Sequence, residues 1–393
     1  MAEAGFSFQV SSTQGQARAG EITTPNGRVA TPAFMSVATQ ATVKGLAPDE
    51  VVSLGAEMVL CNAYHLYLRP GVDVVAGMGG LHRFMGWSRP ILTDSGGFQA
   101  FSMGALRKVD DGGIQFRSHI DGSAHRLSPQ VAMDIQRRLG ADIIMCLDQC
   151  IAFGAPKEQV SQAMERTHRW AAACHQDHLS SGASQRQALF GIVQGGSFAD
   201  LRDESTGYIS GIPFDGYAIG GLAVGESKER MYQVVEQVTG RLPQDKPRYL
   251  MGVGSPEDLV EGVARGVDMF DCVLPTRVAR NGALFTRQGR VDITKRQFAE
   301  QGEPVDQGCD CYTCQNFSAG YLRHLFRAKE LLAPRLASIH NLRFIMRLMA
   351  DMRRAILEGR FQEFRQEFLG SYQPTNEIAR QQQKEKWLQA RGG

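Results

Sequence analysis

Two aspartates and a crowd of cysteines are the residues of this chain set up most plainly for chemistry. Asp94 leads into Ser95-Gly96-Gly97, and Asp271 closes a short apolar run at 267–270. Two carboxylates flanking one bond are the usual equipment for chemistry at an anomeric carbon. One attacks or stabilises the cationic sugar, and the other moves protons to and from the leaving and entering groups. Glycines at 96, 97, 195, 196, 220 and 221 let backbone amides approach a flat ligand closely. Asp148 and Gln194 carry the acceptors and donors to read a purine edge. Base exchange, a glycosidase and an aldolase-type barrel all use such ingredients, and the residues alone leave the three open.

The second constellation is Cys309-x-Cys311-x2-Cys314, with His340 following after 25 residues. Three thiols and an imidazole form a set suited to tetrahedral zinc. Four protein ligands leave no open position, so the expected zinc, one per chain, is structural and not catalytic. The other five of the eight cysteines are scattered, which is not a disulfide framework for a chain of this length.

The elements that must position these groups are short apolar runs at 31–37, 57–61, 90–93, 142–147, 188–193, 216–219, 248–252 and 267–270. Helical patterns such as 157–178 and 227–238 lie between them. Alternating strand and helix implies a parallel sheet with helices outside, and eight units imply a closed (β/α)8 barrel, an α/β fold. Periodicity alone does not separate closure from an open doubly wound sheet. The stretch 112–129 reads as a hairpin around Asp121-Gly122, inserted between the third and fourth strands. Asp94, Asp148, Gln194, Gly220-Gly221 and Asp271 each follow a run, at the strand ends where barrel active sites sit.

Bulk properties set the setting. No run of about 18 apolar residues supports a membrane span, and the first 20 residues lack the layout of a signal peptide. A cytoplasmic protein is the plain reading of its 393 residues. The net charge of +2 is uninformative, but residues 277–360 hold 15 Lys/Arg against 8 Asp/Glu. That local excess suits a phosphate backbone, or else a solvated helical face.

From Phe34 to about Phe368 the chain resembles the tRNA-guanine transglycosylases. The likeness rests on Thr93-Asp94-Ser95-Gly96-Gly97-Phe98-Gln99, Ser118-His119-Ile120-Asp121-Gly122, Gly220-Gly221-Leu222-Ala223-Val224-Gly225-Glu226 and Phe270-Asp271-Cys272-Val273-Leu274-Pro275-Thr276-Arg277, with the cysteine cluster and His340. The resemblance implies a (β/α)8 barrel with a zinc subdomain. It sets a catalytic barrel at 1–300, zinc binding at 301–345 and a helical segment completing the barrel at 346–393. It also implies replacement of guanine at the tRNA wobble position by a 7-deazaguanine. Asp271 then looks like the nucleophile on ribose C1′ and Asp94 like the proton acceptor.

Carried over the same way, Asp148, Gln194 and Gly221 look like base readers. Ser95, Gly96, Gly97, Phe98, Leu222, Met251 and Tyr249 look like pocket lining. Gly252, Val253, Gly254, Ser255, Pro256, Glu257 and Asp258 look like contacts to the anticodon loop, as do Thr276, Arg277, Val278, Ala279 and Arg280. Val224 and Cys150 match the bacterial type, which takes 7-aminomethyl-7-deazaguanine, whereas queuine users tend to carry glycine at the first position. Cys61-Asn62-Ala63-Tyr64 stands where Gly-Asn-Thr-Tyr is usual. The alternatives are queuine exchange by the same mechanism, and a non-catalytic tRNA-binding partner subunit, against which the presence of both aspartates argues. The resemblance further implies a homodimer through the zinc subdomain, with Tyr321 and His324 in the contact segment.

Overall fold

A computed structural model describes residues 5–103 and 107–374. The last part of the expected C-terminal segment, 375–393, lies outside the described residues. In chain order the strands are β1 (Ser7–Gln14), β2 (Ala17–Thr24), β3 (Gly27–Thr31), β4 (Ala33–Val37), β5 (Val59–Cys61), β6 (Ile91–Thr93), β7 (Arg107–Asp110), β8 (Gly113–Arg117), β9 (Ala124–Leu127), β10 (Ile143–Met145), β11 (Ala188–Val193), β12 (Gly216–Ile219), β13 (Arg248–Leu250), β14 (Met269–Cys272), β15 (Ala283–Thr286) and β16 (Gly289–Asp292). Strands β4, β5, β6 and β10 to β14 form a closed barrel, each pair parallel. All eight expected strands are present, and closure excludes the open doubly wound sheet. Most are apolar runs without alternation, as a strand buried on both faces requires; Arg248 opens β13, and β14 ends in the partly buried Asp271 and Cys272.

Chain contacts divide the molecule into two compact units. One comprises residues 1–274 and 346–361, the other 275–345 and 362–393. In the first, Lys157–Ser180, Ala199–Ser210, Lys228–Thr239 and Pro256–Ala264 are barrel helices. The β6–β10 seam has one ladder pair, Leu92 with Ile143. The fully buried Gln136, from helix Pro129–Leu139, substitutes for the rest. Its Oε1 accepts from Met145 N at 2.9 Å and Thr93 Oγ1 at 3.1 Å, and its Nε2 donates to Met145 O at 2.9 Å.

The amino ends of the strands follow a rule of their own. Asp142, Asp215 and Asp268 each precede a strand and accept an N–H from its neighbour: Ile91 N at 2.8 Å, Leu189 N at 2.9 Å and Arg248 N at 2.8 Å. Acids there satisfy otherwise unpaired backbone donors, which makes that face one of stability.

The insertion is larger than expected. Strands β7, β8 and β9 form a three-stranded antiparallel sheet between β6 and β10, of which the Asp121-Gly122 turn joins only the last two. Two further antiparallel sheets were not anticipated. Strands β1 to β3 lie ahead of the barrel, and β15 pairs with β16 in the second unit. No described helix is long and apolar enough to cross a membrane.

Candidate active site and metal centre

At the carboxyl ends of the barrel strands the two aspartates are held differently. Asp94, just past β6, is buried, with Oδ1 accepting from Ala63 N at 2.8 Å and Oδ2 from Asn62 Nδ2. Ala63, one of the two unusual residues in the Cys-Asn-Ala-Tyr stretch, therefore contributes only a backbone N–H, which a threonine would leave in place. Burial pushes the Asp94 carboxyl up to about 6, against its two hydrogen bonds, and the charge of Asp271 pushes in the same direction. Asp271, within β14, is half-buried. Its Oδ1 accepts from Tyr249 Oη at 2.6 Å and Gly252 N at 2.8 Å. Burial raises its proton affinity, and these two bonds hold the carboxylate form. Tyr249 itself is pushed well above the usual phenol range, by burial and then by the Asp271 charge, so it stays a donor.

The third group is amide-rich. Asp148 Oδ2 accepts from Gln194 Nε2 at 2.7 Å and from Cys150 Sγ at 3.4 Å. Burial raises the Asp148 proton affinity. Gly221 has φ +66°, and a Cβ on it would lie 2.4 Å from Gln194 Oε1. Only glycine satisfies both the left-handed backbone and the contact. A Cβ on Gly97 would meet Asp148 O at 2.8 Å. Ser95 and Leu222 are buried, and Ser95 Oγ accepts from Gly97 N at 3.3 Å. Met251 is partly exposed, while Phe98 stands 48% exposed, free to cover a flat ligand. The Glu226 carboxylate accepts from Ala223 N, from Val224 N at 3.2 Å and from Gly225 N at 3.2 Å, folding that loop around itself.

The residues expected to meet RNA are unevenly placed. Gly252, Val253 and Gly254 lead from β13 to Ser255, which caps helix Pro256–Ala264. Glu257 and Asp258, in its first turn, are buried and face Lys228 Nζ at 2.6 and 2.8 Å. Asp258 also accepts from Ser255 Oγ, and from Tyr232 Oη at 2.6 Å. These acids are engaged within the protein and hold the 252–255 loop from behind. In the second unit, Thr276 to Arg280 lie on the short helix Leu274–Arg280. Arg277 is exposed, Val278 partly so, and Arg280 keeps a buried Nη1 with no hydrogen-bond partner among the described residues. Thr276 is buried and Ala279 is fully buried in that unit's apolar core.

In the same unit the Cys309, Cys311 and Cys314 sulfurs and His340 Nδ1 all lie within 4.8 Å of one another. The S···Nδ1 distances are 3.8, 3.4 and 3.3 Å. A tetrahedral ion with Zn–S of about 2.3 Å and Zn–N of about 2.0 Å sets S···N near 3.5 Å, so the donor set fits zinc. His340 Nε2 donates to Phe285 O at 2.6 Å, which fixes the tautomer that leaves Nδ1 free as a ligand.

A family model described as queuine tRNA-ribosyltransferase matches residues 12–374. The chain belongs to the queuine tRNA-ribosyltransferase family. Among curated relatives bearing that description, the protein of Herpetosiphon aurantiacus is 56% identical over 368 residues, 94% of this chain and 93% of its own. That of Dehalococcoides mccartyi (strain ATCC BAA-2266) is 53% identical over 388 residues, 99% and 98% of the two chains. The Moorella thermoacetica protein is 54% identical over 356 residues, 91% and 94%. Membership over this span fits both the closed barrel and the Cys3His cluster.

Three supporting residues of this queuine tRNA-ribosyltransferase-family site were invisible as such in the sequence. Asn62 sits in a quoted stretch, but its bond to Asp94 depends on a neighbouring strand. Lys228 reads as a helical surface lysine. Arg202, fully buried beneath Gln194, carries no local signal of burial at all.

Proposed function

We propose that the chain is a pentosyltransferase that exchanges guanine at the tRNA wobble position for 7-aminomethyl-7-deazaguanine, a step of queuosine biosynthesis. The observation that carries this reading is the pair Asp94 and Asp271 on one barrel face, where burial and then the charge of Asp271 raise the Asp94 carboxyl. Two donors on Asp271 favour the carboxylate a nucleophile needs, against the burial that raises its proton affinity. Asp94, set near 6, is mostly ionised at neutral pH and is matched to taking a proton.

In this mechanism the wobble base leaves the stack, at a cost of about a few kcal/mol that its single-stranded loop reduces. Asp271 displaces guanine from C1′, the glycosidic bond breaking as a ribosyl ester forms, and the departing base takes its proton from solvent. The incoming base attacks the same carbon from the vacated side, the ester bond breaks and Asp94 takes the base's proton. Two inversions restore configuration. Asp148, Gln194 and Gly221 read the base, Phe98 covers its face, and Ser95, Gly96, Gly97, Leu222 and Met251 complete the walls. The 252–256 loop, the exposed Arg277 and the partly exposed Arg280 supply RNA contacts.

Zinc held by Cys309, Cys311, Cys314 and His340 would act as a structural cross-link, closed to substrate. Phe317, Tyr321 and His324 present neighbouring rings, with centroids 5.5 and 6.4 Å apart, and Tyr321 is exposed. They form the contact of a proposed homodimer that binds one tRNA, read by native mass spectrometry. The relatives' shared description favours queuine as a second reading, while Val224 and Cys150 favour the smaller base. Incubating tRNA with each labelled base in turn, in a cytoplasm-like buffer, separates them. Efficient queuine incorporation would overturn the preference, and parental guanine release by Asp271→Asn would overturn the mechanism.

A further inference from the structure

Arg202 lies on helix Ala199–Ser210 with its side chain wholly buried. Among the described residues no carboxylate lies within ion-pair distance of it. Its guanidinium is instead spent on three carbonyls at two strand ends. Nη1 donates to Val193 O at 3.0 Å, Nε to Gly196 O at 2.8 Å and Nη2 to Gly220 O at 2.9 Å. One turn along the helix, Ser205 Oγ accepts from Gln194 N at 3.1 Å and meets His168 Nε2 at 3.1 Å. The 193–194 peptide is therefore gripped on both edges by one helix face, its C=O by Arg202 and its N–H by Ser205.

The second gripped peptide is 220–221. Its C=O accepts from Arg202, and its N–H, on Gly221, meets no acceptor among the described residues. A donor on a carbonyl draws density through the peptide and strengthens the N–H on its far side, more so when the donor is charged. Burial pulls the guanidinium down to about 9, opposed by the Glu226 charge, so the side chain is cationic at neutral pH. A buried cation is costly, and a leucine would fill the same space. Two of the cation's three acceptors explain its presence, since Val193 O and Gly220 O belong to the peptides that carry Gln194 and Gly221.

We propose that Arg202 is a positioning residue for base recognition, which aims the Gln194 amide and the Gly221 N–H and strengthens the latter as a donor to a purine carbonyl. This rests on the base-exchange reading above. The test compares wild type with Arg202→Met, which keeps bulk, and Arg202→Lys, which keeps charge without the fork. The readouts are the KM of tRNA, the KM of guanine, and the inhibition constant of 2-aminopurine, which lacks the carbonyl.

The expected result is a tenfold or greater rise in guanine KM with tRNA KM within twofold. Inhibition by 2-aminopurine should change less than threefold, so that discrimination between the two purines collapses. Arg202→Lys should recover only part of the loss. Equal shifts for both purines and tRNA, or none, would overturn the proposal. Should Arg202→Met fail to fold, Ser205→Ala removes the acceptor of the Gln194 N–H, along with the His168 contact, and leaves the Arg202 fork in place. It should raise guanine KM several-fold at unchanged tRNA KM, and no rise counts against the proposal. A wild-type chain that exchanges no guanine removes the underlying reading instead, and this proposal with it.

Discussion

Tyr249 donates its phenol hydrogen to Asp271 at 2.6 Å, and the same carboxylate oxygen takes the Gly252 N–H at 2.8 Å. One oxygen is thereby doubly occupied. On the proposed mechanism the other oxygen is the attacking atom, so the same two bonds that favour the anion also choose which lone pairs are available.

Removing the phenol in Tyr249→Phe deletes a hydrogen bond to a charged acceptor, worth about 1.5–3 kcal/mol. Because that bond favours the carboxylate, its loss raises the Asp271 proton affinity. The acid limb of kcat against pH should move upward by one unit or more, with tRNA affinity by filter binding unchanged. An unmoved limb would show that the phenol is only a wall.

Asp94, with its carboxyl near 6, must be ionised to receive a proton. The rate of base incorporation should therefore fall about tenfold per unit as pH drops below that value. The stability effect has the opposite sense. A carboxyl raised on folding contributes stability that is fully present below the unfolded value near 4 and lost as pH rises through 6. Asp94→Asn avoids that loss and keeps an acceptor for Ala63 N, while its new NH2 faces the Asn62 amide, which must turn its oxygen inward to accept from it. At pH 7 it should be more stable in urea by roughly 3 kcal/mol, at about 1.4 kcal/mol per unit over two units, yet inactive in exchange. A destabilised Asp94→Asn would contradict the assigned burial penalty.

For the metal centre, purified protein should hold close to one zinc per chain. Chelation should loosen residues 283–345, seen as lost amide protection by hydrogen exchange, while the barrel strands stay protected. Cys311→Ser should lower zinc content severalfold. Metal-free protein with full protection would refute the assignment.

Val224 is partly exposed in the Glu226-folded loop. Shortening it in Val224→Gly should open room for a bulkier 7-substituent. A side chain's steric effect in a pocket is worth about 1–3 kcal/mol. Queuine use should rise at least tenfold in kcat/KM, with 7-aminomethyl-7-deazaguanine use within threefold. Unchanged queuine use would place the specificity wall elsewhere.

Which parts of this fold are legible in the sequence follows from the range of the forces involved. The eight barrel strands are buried on both faces, so their apolar runs declare them, and Asp94 and Asp271 are conspicuous at the ends of such runs. The β1–β3 sheet is not, because six of the eight residues from Ser7 to Gln14 are polar and its only sharp signal is Asn26-Gly27. Glu257 and Asp258 read as exposed acids of a helix start, but Lys228 from another helix neutralises and buries them. Ala279 falls among expected RNA contacts yet packs inward, since on a short helix one residue in the stretch must face the core. Arg202 is the clearest case. In its own helix it is an ordinary arginine, and only the convergence of three distant carbonyls gives it work.

Arg353, late in the long helix Leu332–Leu357, donates through Nη1 to Gly20 O at 2.5 Å and Thr31 O at 2.6 Å. A ribosome delivers these partners more than three hundred residues apart. Everything from 275 to 345 emerges before the guanidinium that tethers the opening sheet. The nascent chain must wait with those carbonyls open to water, although all eight barrel strands have by then left the ribosome. Translation order thus makes the tether of the opening sheet a late arrival, and a message truncated after codon 345 would encode a barrel whose first sheet is untethered.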